Sequence, residues 1–135
     1  MVAASGWSTH ALHIRRLARA MAVPIVASDR VGCVWRGGLA TVLAAPTATP
    51  HMLLHELSHA TARERGRPIV APGGRGYGAE EVIADVAADR LCRRWGLPVS
   101  TEHDEYITGW MPDSSARAIA VGAGEDLARW MEGLI

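Results

Sequence analysis

Five residues near the middle of the chain, His55-Glu56-Leu57-Ser58-His59, constrain its fold more than any other stretch. They sit inside a run that reads as a helix. Thr49-Pro50 offers a capping hydroxyl and a proline for the first turn, and Met52, Leu53, Leu54, Leu57, Ala60 and Ala62 form an apolar body. Gly66 and Pro68 then stop the pattern, which predicts a helix from Pro50 to about Arg65. Positions four apart lie one above the other on a helix face, so His55 and His59 can converge on one point. Glu56 stands about 100° round the helix from His55. A fold that accepts this segment must bury the leucines and still leave the histidine face open to a ligand.

Two histidines spaced in this way suit a metal ion, and the glutamate beside them is placed to poise a water without itself ligating. A hydrolytic zinc site uses three protein ligands and one open position, so a third ligand has to come from another element. After a glycine-rich connection, residues 79–92 read as a second strong helix with Glu81 and Asp85 one turn apart on one face. Glu81 is the expected third ligand. Asp85 is expected behind a ligand histidine, accepting a hydrogen bond from its second ring nitrogen and so setting its tautomer. Glu80, about 100° away, competes for the ligand role or serves as a first-turn acid. His51, one turn before His55, would stand about 6 Å too far back for the same ion and reads as a helix-start group.

Three ordered blocks, LLHELSHAT, EEVIADVAADRLCRRWGL and EHDEYITGW, resemble the metallopeptidase domain of ArdC-type antirestriction proteins over His51 to Trp110. The same ligand arrangement is similar to the wider gluzincin group, which includes thermolysin and the ImmA/IrrE-type peptidases. The resemblance implies an α+β, zincin-like domain: an N-terminal helix, a small antiparallel sheet, the HELSH helix, a glutamate-ligand helix and a helical C-terminal cap. It implies zinc on His55, His59 and Glu81, Glu56 as general base, and a peptide or protein substrate, with a repressor or a restriction enzyme as target. ArdC-type proteins also carry an N-terminal domain that binds single-stranded DNA, and nothing in this chain is long enough to be one. Direct nucleic-acid binding is therefore not expected.

With 135 residues the chain is expected to form one domain, 1–135. Its formal charge is zero, which removes a global basic excess as a reason to bind nucleic acid. The balance is uneven, because residues 100–135 hold seven acids against two arginines. That acidic end supports an alternative reading, a non-catalytic antirestriction or protein-binding module that competes with DNA. Cys33 and Cys92 form no evident framework, and no apolar run approaches the length of a membrane span, so a cytoplasmic protein without membrane contact is expected.

Elsewhere, residues 9–22 suggest an amphipathic helix with Leu12, Leu17, Ala18 and Met21 on its apolar side, and His10 and His13 as surface or capping groups. Val23–Ala27, Val31–Arg36 and Leu39–Ala44 read as strands, with Gly37-Gly38 as a turn and Leu39–Ala45 as the edge that could pair with a peptide. In the glycine-rich connection, Tyr77 and Arg75 are candidate donors to an oxyanion. A third helix through Trp110 brings His103, either an active-site histidine or a core hydrogen-bonding group. Asp113 caps a final helix that Gly122 and Gly124 are expected to interrupt. Cys92, Trp110 and Trp130 read as core or interface side chains.

Overall fold

A computed structural model describes residues 12–135; His10 lies outside them. The described residues form an α+β fold of five helices and a three-stranded mixed sheet. In chain order these are α1 (Leu12–Ala20), β1 (Ile25–Ala27), β2 (Gly32–Arg36), β3 (Leu39–Ala44), α2 (Pro50–Ala60), α3 (Tyr77–Trp95), α4 (His103–Trp110) and α5 (Ser114–Glu132). Among the described residues no helix is long and apolar enough to cross a membrane.

The sheet differs from the antiparallel one expected. β2 and β3 form a hairpin whose two-residue turn, Gly37-Gly38, takes φ of +57° and +77°, which glycine adopts without steric cost. β1 instead runs parallel to β3, with Ile25 opposite Val42 and Ala27 opposite Ala44. The order β1-β3-β2 puts β3 in the centre, so Leu39–Ala45 is not an edge. The burial pattern explains why: Ala40, Val42 and Ala44 alternate inward against α2, and both backbone sides of the strand are paired. Among the described residues, β1 and β2 are the edge strands.

α2 begins as its sequence dictates, with Thr49 Oγ1 accepting from Met52 N at 3.2 Å and Pro50 in the first turn. It ends at Ala60, a turn earlier than the spacing predicts. The Ser58 carbonyl accepts from Thr61 N, Thr61 Oγ1 and the Arg67 guanidinium, so the regular ladder gives way to tight turns before Gly66. α5, by contrast, runs unbroken through Gly122 and Gly124, because Gly124 packs closely on α3.

Leu53, Leu54 and Leu57 of α2 are fully buried between β3, α3 and α5, where Val42, Leu91 and Met131 meet them. α1 adds Ile14, Leu17 and Met21, whereas Leu12 is 59% exposed and lies off the apolar face. Cys92 is a buried core thiol. His13 stacks on Trp95 at the domain surface, with ring centroids 4.9 Å apart. This packing clamps α2 and α3 side by side, and the candidate site lies along their seam.

Candidate metal centre

The spacing within α2 stacks His55 over His59, and their Nε2 atoms lie 3.1 Å apart. From α3, Glu81 brings Oε2 to 3.4 Å from His55 Nε2 and into contact with His59 Nε2. Nitrogen and oxygen ligands about 2.0–2.2 Å from a tetrahedral divalent ion stand about 3.3–3.5 Å from one another. The His55–His59 and His55–Glu81 separations are close to that value, whereas the Glu81–His59 contact is shorter. Glu81 Oε2 is buried and makes no hydrogen bond, so one lone-pair atom of the trio lacks the partner a cation would supply. The three residues fit a metal ion.

Asp85, one turn along α3 from Glu81, accounts for the tautomer. Its Oδ1 accepts from His55 Nδ1 at 2.9 Å. A carboxylate only accepts, so His55 Nδ1 carries a proton, and whenever the ring is neutral Nε2 presents its lone pair to the ligand point. The same carboxylate accepts from His51 Nε2 at 2.8 Å and His103 Nδ1 at 2.6 Å. Burial pushes the Asp85 carboxyl up, yet these three hydrogen bonds hold it far below the usual range. Glu81 is likewise held low by the two ligand histidines, against its burial. For His55, burial opposes protonation, but Asp85, Glu81 and Glu56 together raise the imidazole to about 10. The field at the ligand point favours positive charge, for which a proton and a metal ion compete.

Glu80 points elsewhere. Both its oxygens pair with Arg67, at 3.0 Å from Nε and from Nη2, and Oε1 stands 3.8 Å from His59 Nδ1. The guanidinium of Arg67 also donates to Thr61 Oγ1 and the Ser58 carbonyl, so it locks Glu80 to the end of α2. Tyr106 Oη donates to the other oxygen of Glu81 at 2.9 Å, and its ring meets His55 edge-on.

Glu56 lines two cavities that meet at the ligand point. The larger, about 440 Å³, is walled by Cys33 and Trp35 of β2, the loop from Pro68 to Pro72, and Tyr77. The smaller, about 280 Å³, is walled by His51, Met52, Ser100, Glu102 and Tyr106. Val31 and Glu81 border both. Burial raises the Glu56 carboxyl above its ordinary value, with His55 and His59 opposing and Glu81 assisting, which suits a group that takes up a proton. Cys33 is pushed up to about 12 by burial and by Glu56, so it stays a thiol.

Of the residues singled out from sequence, His55, His59 and Glu81 meet at one point, with Asp85 behind them and Glu56 in the walls of both cavities. Tyr77 lines the larger cavity and packs edge-on against Trp110, with ring centroids 5.2 Å apart. His103 does not reach either cavity. It is 7% exposed and turned onto Asp85, because that carboxylate takes its Nδ1–H, the core hydrogen-bonding arrangement of the two expected. Arg75 is exposed and lies outside the lining of both cavities. His51 is buried on Asp85 rather than serving the helix start. The sequence reading missed Arg67, and it noted Tyr106 without giving it a role. The i to i+4 rule relates residues within one helix and is blind to both, since they arrive from the loop after α2 and from α4.

A second group, His51, Asp85 and His103, also gathers possible ligand atoms within 4.8 Å of one another. No protein-family model, curated protein or solved structure matches the chain.

Proposed function

We propose that this chain is a zinc-dependent metallopeptidase of gluzincin type on a zincin-like fold, similar to the catalytic domain of ArdC-type proteins. The observation that carries the reading is the convergence of two imidazole Nε2 atoms and a bare carboxylate oxygen beside Glu56, where two cavities join. The donor set, two nitrogens and one oxygen with an open side toward the cavities, is that of hydrolytic zinc sites. Zinc held there by His55, His59 and Glu81 would act as a Lewis acid on a carbonyl and make water nucleophilic near neutral pH.

The chain's own groups do the rest. Glu56, its carboxyl raised by burial, takes a proton from the attacking water and returns it to the leaving amine. Asp85 keeps His55 in the ligating tautomer, and Tyr106 fixes Glu81. Tyr77 faces the larger cavity, from which its hydroxyl can donate to charge developing on the carbonyl oxygen. The edge strand β2, which borders the larger cavity through Gly32, Cys33 and Trp35, offers backbone groups along which an extended peptide can pair. A protein such as a repressor or a restriction enzyme in the host cytoplasm is the target class this reading favours.

One observation favours the alternative of a binding module. Glu102, Asp104 and Glu105 are all exposed on and beside α4, an acidic face next to the smaller cavity. The Glu56→Gln variant separates the two readings. If the chain is a peptidase, zinc remains bound while peptide hydrolysis falls by about 10²–10⁴-fold. Zinc bound with no hydrolysis by the wild type, alongside inhibition of a restriction enzyme that survives Glu56→Gln, would overturn the peptidase. A wild type that binds no zinc would overturn the metal centre itself.

A further inference from the structure

The group around Asp85 extends beyond one aimed ligand. Four side chains from three helices meet there: His51 and His55 from α2, Asp85 from α3 and His103 from α4. All four are buried, between 4% and 7% exposed. Asp85 Oδ1 is shared by His51 and His55, and Oδ2 is taken by His103. Because an ionised carboxylate has no proton to donate, each facing nitrogen carries its own hydrogen: Nδ1 of His55, Nε2 of His51 and Nδ1 of His103. Three donors on two oxygens also fix the plane of the carboxylate. Without His103, Oδ2 is free and the group can swing about its bond to Cβ; without His51, Oδ1 can follow His55 out of register.

We propose that His51 and His103 are positioning residues for the metal centre, acting through Asp85 to hold the bare Nε2 of His55 on the ligand point. This rests on the reading of His55, His59 and Glu81 as a metal site. The four residues form a hydrogen-bonded hub, and the count of ions per chain tells it from a second metal site. The contacts from His51 and His103 to Asp85 are 2.8 Å and 2.6 Å, the lengths of charge-assisted hydrogen bonds. The fully buried atom of these four side chains that lacks a hydrogen-bond partner is His51 Nδ1, on the far side of the ring from Asp85.

The donor atoms make the proposal testable by amide substitution. A glutamine amide nitrogen reaches about where a histidine Nε2 stands, and an asparagine amide nitrogen about where Nδ1 stands. His51→Gln and His103→Asn therefore keep the hydrogen bond, whereas His51→Leu and His103→Leu delete it. Zinc affinity would be measured by competition with a chelating dye, and the ions per chain counted. Visible absorption of the cobalt(II)-loaded protein would report ligand geometry, and long-range nitrogen–proton NMR of the metal-free protein would report the tautomers.

The leucine variants are expected to bind zinc about 10–100-fold more weakly, still at one ion per chain, with altered cobalt bands. His51→Gln and His103→Asn should recover most of the affinity, and the swapped pair His51→Asn and His103→Gln should not. Circular dichroism at the assay temperature screens out unfolded variants, and the amide variants carry the test if the leucines fail to fold. Undiminished zinc affinity in folded leucine variants would refute positioning while leaving the metal centre intact. So would a second ion per chain that disappears in them, since the group would then itself be a metal site. A wild type with the assigned tautomers that takes up no ion would refute the metal centre and the positioning role together.

Discussion

The two glycines of α5 allow a calibrated test of how the helix that carries Glu81 and Asp85 is held. A Cβ on Gly122 meets nothing within 4 Å, whereas one on Gly124 would lie 2.7 Å from Val86 Cβ and 2.8 Å from the Ile83 carbonyl oxygen. Alanine in a helix interior is favoured over glycine by about 1 kcal/mol, and this gain is the same at both positions. Gly122→Ala should therefore stabilise the protein by up to about 1 kcal/mol. At Gly124 the added methyl is about 1 Å inside ordinary carbon contact, and the Ile83 oxygen belongs to the α3 backbone, which cannot rotate away. Overpacking of this kind costs about 1–3 kcal/mol, so Gly124→Ala should be less stable than Gly122→Ala by that amount. Urea unfolding of both variants gives the difference directly, provided the slopes agree. Because Val86 follows Asp85 on α3, a shift there should also weaken zinc binding in Gly124→Ala alone. Equal stabilisation by both alanines would refute the close α3–α5 contact.

Three further outcomes follow from individual contacts. Since His55, His59 and Glu81 meet only in the folded chain, zinc should raise the Tm, contributing about 4 kcal/mol at a thousandfold excess over its Kd; an unmoved Tm in saturating zinc would count against the site. Asp89 is buried, which opposes its charge, but hydrogen bonds from Arg93 and Arg90 hold its pKa below the ordinary value. Its stabilisation is therefore complete above its unfolded pKa and declines below about pH 4 as the folded pKa is approached. Asp89→Asn should be weaker by about 1–3 kcal/mol at neutral pH, with a shallower acid decline than wild type, and identical acid slopes would exclude the effect. Thr49→Ala removes the cap of α2 and should cost about 1 kcal/mol by thermal or urea unfolding; a change within error would mean that Pro50 and packing suffice.

Much of the site follows from spacing within a helix. The stacking of His55 on His59, and of Glu81 one turn before Asp85, needs only 3.6 residues per turn and the apolar runs that make α2 and α3 helices. The cap of α2 by Thr49, the Gly37-Gly38 hairpin turn and the cap of α5 by Asp113 are local too, and the sequence names them. Expectations about non-local pairing fared differently. Strand order depends on which edge of the β2–β3 hairpin β1 joins, and no residue of Ile25–Ala27 encodes a parallel partner. Gly124 reads as a helix breaker in one dimension and as a contact point in three.

The local sequence thus determined the helices, their caps and the residues that share each helix face, because those relations are set by backbone geometry over a few residues. Only the tertiary structure decided which faces meet. It turned Glu81 onto the histidines and Glu80 onto Arg67, though the two are adjacent, because the angle at which α3 lies against α2 selects one carboxylate and leaves its neighbour to the loop. It also drew His51 and His103 onto Asp85, since a buried carboxylate must find donors from whatever elements pack around it.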